Sequence, residues 1–262
     1  MKTRLDAELV RRGLARSREA ASDLIAAGNV LVSGMPASKA ATQVDAETSI
    51  TLKDDHAEFV SRGGHKLAGA LDKFMQIDVS GKTALDAGAS TGGFTDVLLK
   101  RGAKKVVAVD VGYGQLAWEL QKDERVKILD RVNVRNLTPA QVGEEIDLVV
   151  ADLSFISLKL VLPALISVAK EGADFLVMVK PQFEVGKEKL GAGGVVRDVH
   201  LRKEAVVAVA DAAFALTLGT LGVVASPLPG PSGNVEYFLW LRKGAPALLE
   251  VDLDLAIEKG PA

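Results

Sequence analysis

Apolar and polar positions along the chain change rhythm near residue 60. Over the first fifty residues the pattern is short-ranged. Leu5, Leu9 and Val10 fall on one side of a predicted helix from Arg4 to Gly13, and a second helix from Arg18 to Ala27 opens behind Ser17 and stops at Gly28. Asn29 to Gly34 then reads as a strand and turn, and Ser49 to Leu52 as another strand. After a short polar stretch, buried-strand runs alternate with helical spacing. Strands are predicted near 82–86, 105–110, 126–130, 146–151, 175–179, 222–226 and 236–242, and helices near 63–76, 94–101, 114–122, 157–170 and 198–218. Such alternation predicts an α/β fold built on a doubly wound, mostly parallel sheet. The chain therefore divides into a small α+β module (1–53), a linker (54–60) and a large α/β domain (61–262).

The run from Ala205 to Ala225 is apolar enough, and about long enough, to be mistaken for a membrane span. Gly219 and Gly222 interrupt it and Pro227 and Pro229 follow, so it reads instead as a helix ending near Gly219 and a strand over Val223 to Ala225.

The most distinctive connection is Leu85-Asp86-Ala87-Gly88-Ala89-Ser90-Thr91-Gly92-Gly93-Phe94, which joins a buried strand to a helix through a loop almost without side chains. Glycines there allow close backbone approach, and the N–H groups opening the next helix form an electropositive end. About twenty residues on, Lys105 to Asp110 reads as a second buried strand ending in an acid suited to ribose hydroxyls. The spacing Gly-x-x-x-Gly-Gly is neither the dinucleotide fingerprint nor a triphosphate loop. Asp86 before the loop would repel a pyrophosphate but suits a cation. S-adenosylmethionine, with a sulfonium and an amino group, meets that requirement.

Composition narrows the setting. With 32 basic and 34 acidic residues the net charge of -2 names no partner. Its distribution does: residues 1 to 18 carry Lys2, Arg4, Arg11, Arg12, Arg16 and Arg18 against Asp6 and Glu8, a local excess of four positive charges. The chain has no cysteine, which excludes disulfides, cysteine-held metals and a cysteine nucleophile attacking a base, and fits the cytoplasm. No metal site and no cleavable signal are expected.

In doubly wound sheets ligands bind beyond the carboxyl ends of the strands, so Asp86, Asp110, Asp130, Asp152 and Lys180 are predicted to face one crevice. Asp152-Leu153-Ser154-Phe155 stands where enzymes methylating amino nitrogens of bases carry two prolines, and the prolines are absent. Lys180, after the buried run Phe175 to Val179, has a stem placed for burial, and burial beside a cation lowers a lysine pKa toward the range useful for a general base. Lys66 could supply the second cation and Glu236 hold the geometry. Taken singly, each of these charges is equally compatible with an ordinary surface lysine or salt-bridge partner.

Arg4-Leu5-Asp6, Ser17 to Ala20 and Ala27 to Gly34 resemble the S4 RNA-binding domain, which implies structured RNA as partner, with Arg4, Arg16, Arg18 and Lys39 as phosphate contacts. Ser61 to Leu67, Asp86 to Phe94, Asp110 to Leu116, Asp152 to Ser157, Val179 to Lys187 and Ser232 to Tyr237 resemble the TlyA family over nearly the whole chain. That family comprises S4-domain ribosomal RNA 2′-O-methyltransferases with an FtsJ-like, Rossmann-like catalytic domain, often labelled hemolysins.

The resemblance implies that Lys66, Asp152, Lys180 and Glu236 form a Lys-Asp-Lys-Glu tetrad with Lys180 as base, acting on cytidine riboses of 16S or 23S RNA or both, on ribosomal subunits. It links the chain to capreomycin-type antibiotic susceptibility. For S-adenosylmethionine, Gly88, Ser90, Gly92, Gly93 and Phe94 are expected at the methionine end, Asp110 at the ribose, and Asp130 or Asn133 near the adenine. The competing readings are a membrane-active hemolysin, which needs an inserting element, and a non-catalytic RNA-binding protein, which predicts loss of the loop or of the tetrad.

Overall fold

The computed structural model describes residues 2–15, 17–26, 28–45, 47–52 and 58–260. Arg16 and residues 54–57 of the linker lie outside the described residues. The chain divides into two compact units, Met1–Glu58 and Phe59–Ala262.

In the first unit, β1 (Thr3–Arg4) leads into α1 (Leu5–Arg11), followed by α2 (Arg18–Ala26), β2 (Val30–Val32), β3 (Met35–Pro36), β4 (Gln43–Val44) and β5 (Ile50–Leu52). β2 pairs antiparallel with both β3 and β5, and β1 with β4. Leu5, Leu9, Ala21, Ile25, Val30, Val44 and Ile50 form its core. Of the α1 positions expected on one side, Leu5 and Leu9 are buried and Val10 half-buried, and Asp6 and Glu8 are buried beside them.

The second unit runs α3 (Arg62–Lys73), β6 (Thr83–Ala87), α4 (Gly93–Lys100), β7 (Lys105–Val109), α5 (Trp118–Gln121), β8 (Val126–Leu129), α6 (Pro139–Val142), β9 (Ile146–Ala151), α7 (Leu158–Val168), β10 (Ala169–Val179), α8 (Pro181–Glu184), α9 (Val199–Ala215), β11 (Leu218–Ala225), β12 (Tyr237–Lys243) and α10 (Glu250–Glu258). Its seven strands lie in the order β11-β12-β10-β9-β6-β7-β8, parallel from β10 to β8, with β12 antiparallel between β10 and β11. Apolar clusters cover both faces, which is why the central strands read as continuous hydrophobic runs. The order reverses between β6 and β9, so the loops leaving these two strands open side by side, where ligands of such sheets bind.

Four boundaries differ from the sequence expectation. The linker assigned to 54–60 ends early: Phe59 is buried in the core of the second unit, and Val60 N–H donates to Asp96 Oδ2 at 2.9 Å. The helix expected over 114–122 shrinks to Trp118–Gln121 because the preceding loop is held open by carboxylates, Gly112 N–H donating to Asp110 and Gly114 N–H to Asp130. β10 begins at Ala169, where a register shift lets the chain pair with Ile146 before the apolar run starts. α9 ends at Ala215, and Gly219 and Gly222 lie inside β11 rather than before it. A Cβ at position 222 would stand 2.5 Å from the Phe74 ring, so this glycine serves close packing and not termination. The apolar run from 205 to 225 is thus part helix and part strand, and among the described residues no helix is long and apolar enough to cross a membrane.

Candidate active site

The turn after β6 is shaped by what crowds it. Gly88 (φ 88°) faces the chain leaving β9: a Cβ there would stand 2.5 Å from the Asp152 carbonyl oxygen, while Asp152 N–H donates to Ala87 O at 3.0 Å. Gly92 (φ 99°) opens α4, and a side chain there would strike Leu116 and Leu120. Only glycine satisfies both constraints at these points. Ser90 takes φ 47° without being glycine, held by its N–H donating to Asp110 Oδ2 at 2.8 Å.

A cavity of ≈ 240 Å³ lies over this turn, lined on one side by Gly88 to Thr91, Gly93 and Phe94, and on the other by Lys66, Asp152, Ser154 and Lys180. Ser61 to Gly63, Pro229 and Pro231 close its rim. The charged groups form two pairs. Lys66, in α3, donates from Nζ to Glu236 Oε2 at 2.5 Å, across 170 residues of sequence, with Lys66 7% and Glu236 1% exposed. Lys180, just beyond β10 and 9% exposed, sets its Nζ 2.5 Å from Asp152 Oδ1 and donates to Ser154 Oγ at 2.9 Å. Both lysines are buried, so neither is the ordinary surface lysine that each residue alone allowed. Glu236 stands behind Lys66 and outside the cavity lining.

The expectation that five strand-end charges share one crevice needs correcting, since Asp152 and Lys180 line the cavity, Asp110 and Asp130 accept from backbone N–H groups, and Asp86 lies buried. Asp110 accepts from Ser90 and Gly112 N–H, and Asp130 from Gly114 N–H. Asn133 is exposed and accepts from Arg135 N–H at the start of a 3-10 turn. Loops rich in glycine carry unpaired N–H groups, and the nearest carboxylates satisfy them. Asp86 is fully buried under the turn. Thr95 Oγ1 donates to its Oδ2 at 2.7 Å, and its Oδ1 has no hydrogen-bond partner among the described residues. Burial pushes the Asp86 carboxyl up to about 7, the Thr95 hydroxyl opposing and the Asp152 and Asp110 charges adding to the rise.

These residues fit S-adenosylmethionine. The glycine turn is a cradle that side chains would fill, and the orphaned Asp86 oxygen is a buried acceptor that a nearby cation would stabilise. Three contributors escaped the sequence reading. Thr95 is one turn into α4, at a spacing that carries no motif. Ser154 sits between two residues already singled out, but its direction depends on the left-handed Phe155 backbone (φ 64°). Glu184 accepts from Ser157 Oγ and Leu158 N–H, tying the segment after Lys180 to the start of α7, and burial raises its carboxyl pKa.

In the N-terminal unit the basic residues are organised by acids. Asp6 accepts two hydrogen bonds from Arg4, at 3.1 and 3.0 Å, and one from Arg18 at 2.8 Å; Glu8 holds Arg11 and Arg12. The arginine hydrogen bonds hold both carboxyls well below the usual range, Arg4 leading at Asp6 and Arg11 at Glu8. The side chains of Arg4 and Arg18 stay half exposed, and Lys39 is exposed.

An S4 domain model matches residues 3–50 and an FtsJ-like methyltransferase model residues 59–243. The chain is 58% identical to the 16S/23S rRNA (cytidine-2′-O)-methyltransferase TlyA of Mycobacterium tuberculosis, over 99% of each chain. It is 37% identical to Hemolysin A of Brachyspira hyodysenteriae, over 89% of this chain and 97% of that one. A solved structure from Streptococcus thermophilus, titled as a hemolysin, superposes with a TM-score of 0.79 at 36% identity, covering 98% of this chain and 95% of that one. The glycine turn, the S4-plus-FtsJ-like architecture and these relatives lead to one assignment: the chain belongs to the TlyA family of S-adenosylmethionine-dependent ribosomal RNA 2′-O-methyltransferases.

Proposed function

We propose that the protein methylates the 2′-hydroxyl of cytidine riboses in ribosomal RNA, in the small subunit, the large subunit or both, with Lys66, Asp152, Lys180 and Glu236 as its catalytic tetrad. The observation that carries this reading is the pairing of two buried lysines with two acids beside the glycine turn. The relative that shares 58% identity over nearly its whole length bears a cytidine-2′-O name on both 16S and 23S RNA.

S-adenosylmethionine, when bound, supplies an electrophilic methyl group on a sulfonium. In this reading Gly88, Ser90, Gly92, Gly93 and Phe94 hold its methionine end, with Asp86 beneath as the counter-charge. Asp110 takes the ribose hydroxyls with lone pairs that its two backbone hydrogen bonds leave free. Asp130 or Asn133 approaches the adenine. Lys180 removes the proton of the ribose hydroxyl as oxygen forms its bond to the methyl carbon, and Asp152 stabilises the resulting ammonium. Glu236 neutralises Lys66, which leaves a fixed positive group at the cavity wall. The S4 unit contacts RNA phosphates through Arg4, Arg16, Arg18 and Lys39.

The test is transfer of labelled methyl from S-adenosylmethionine to small and large subunits lacking the modification, with the product mapped to sugar or base. Label on the 2′-oxygen that disappears in Lys180→Ala is expected. Label on a base, or ribose label that survives Lys180→Ala at the wild-type rate, would overturn the tetrad.

A further inference from the structure

A lysine acting as a base must do more than sit near its substrate, because its lone pair has to point at the hydroxyl it deprotonates. Lys180 meets Asp152 and Ser154 in different ways. The Asp152 contact is short, 2.5 Å, yet Oδ1 accepts no aligned hydrogen bond from it. That contact limits where the nitrogen lies and, without an aligned hydrogen bond, does little to fix its rotation. The bond to Ser154 Oγ, at 2.9 Å, is the directional one. We infer that Ser154 is a positioning residue, which by accepting one Nζ–H aims the lone pair of Lys180 at the ribose hydroxyl. This inference rests on the reading of Lys180 as the base.

The surrounding chain is built to hold that hydroxyl in place. Ser154 is followed by Phe155, a bulky residue in the left-handed region at φ 64°, a conformation that costs energy and persists only where neighbours enforce it. Phe155 itself is 91% exposed, and it is the flanking segments that are tied. Asp152 N–H is bonded to Ala87 O, the Phe155 ring meets that of Phe183 at 5.1 Å, and Glu184 grips Ser157 and Leu158. Phe183 and Glu184 follow Lys180 within four residues, so the segment carrying the acceptor and the segment carrying the lysine are tied together at three points.

The nitrogen has three tetrahedral positions besides its bond to carbon. In the neutral amine two hold protons and one the lone pair. With one proton directed at Ser154 and the second on the Asp152 side, the lone pair is left to the cavity that all three residues line. When the ribose hydroxyl attacks, the oxygen–carbon bond forms and the carbon–sulfur bond breaks with its electron pair going to sulfur. The hydroxyl proton then occupies that third position of Lys180.

The experiment compares wild type, Ser154→Ala, Ser154→Thr, Lys180→Ala and the Ser154→Ala/Lys180→Ala double variant, reading kcat and KM for methyl transfer to unmodified subunits across pH. Removal of the acceptor is expected to lower kcat about tenfold with KM unchanged, as for an interaction felt in the transition state. Ser154→Thr, which keeps the hydroxyl, is expected to recover most of it. On the Lys180→Ala background Ser154→Ala is expected to add nothing further, because the serine acts through the lysine. A rise in KM with kcat intact, equal losses in the alanine and threonine variants, or additive losses in the double variant would each overturn the inference. If Lys180→Ala itself keeps the wild-type rate, the reading of Lys180 as base fails instead, and the two failures are thereby distinguished.

Discussion

The two units use buried acids in opposite ways. In the N-terminal unit two buried acids are each shared by two arginines, Asp6 by Arg4 and Arg18 and Glu8 by Arg11 and Arg12, and all but Arg12, which also donates to Thr48 O and Asp45 O, remain at the surface. At the candidate site Glu236 and Asp152 each take one lysine, and the lysine is buried. A guanidinium never loses its charge, and its planar fork accepts a carboxylate on one edge while offering the other outward. That suits a surface meant to hold phosphates. An ammonium can give up a proton, and in a dry site its charge must be balanced, which suits chemistry. One motif, an acid beside a base, thus leaves charge at the surface or balances it in the interior according to the base chosen and its burial.

Exchanging the reactive base should have the largest effect. Lys180→Met is expected to reduce methyl transfer by about 10²- to 10⁴-fold, the range of a lost general base, whereas Arg4→Ala should weaken subunit binding and leave the single-turnover rate at saturation unchanged. A single-turnover measurement at saturating subunits separates the two. Next in size is Glu236→Gln, which leaves Lys66 buried without its counter-charge. Breaking one partner of such a pair costs about 3–5 kcal/mol, read as a fall in midpoint by thermal unfolding, with a smaller fall in Glu8→Gln because its arginines can turn to water.

Gly88→Ala should act without touching any charge. The added methyl meets the Asp152 carbonyl, and the expected outcome is weaker S-adenosylmethionine binding by calorimetry with subunit binding preserved. A smaller effect is expected from Asp6→Asn, which adds net positive charge to the basic unit yet releases Arg4 and Arg18 from their fork. Subunit affinity should fall severalfold if orientation governs, and a rise instead would show that charge alone does.

The effect at Asp86 is read against pH. Its folded-state pKa of about 7 lies above the ordinary 3.8, so between those values the folded protein keeps a proton that the unfolded chain has released. Stability is therefore expected to decline as pH rises through that window. Asp86→Asn, neutral at every pH, should flatten the decline, and unfolding midpoints collected from pH 4 to 7 will read it.

Much of this was legible from residues alone. Apolar runs placed five of the seven main strands within a residue of their final bounds, because strands buried on both faces must be continuously hydrophobic, while β10 and β11 begin six and four residues earlier than expected. The glycine turn was visible because close backbone approach excludes side chains, and the arginine-rich start because local charge survives folding. Less legible were the boundaries set by distant partners. The loop before α5 is held open by Asp110 and Asp130, and Gly222 packs on Phe74 from the far side of the fold.

The sequence by itself determined the alternation of the main strands and helices and the doubly wound sheet, since periodicity is a local property of the chain. Only the tertiary structure decided which charges meet. Lys66 finds Glu236 from 170 residues away, and Lys180 finds Asp152 and Ser154 because neighbouring strands end together at the point where the sheet order reverses. Asp110 and Asp130, read as crevice groups, went to backbone N–H groups whose need for partners appears once the loops are folded. The physical reason is range: hydrophobic pattern acts over a few residues, whereas the pairing of buried charges depends on distances that exist only in the assembled fold.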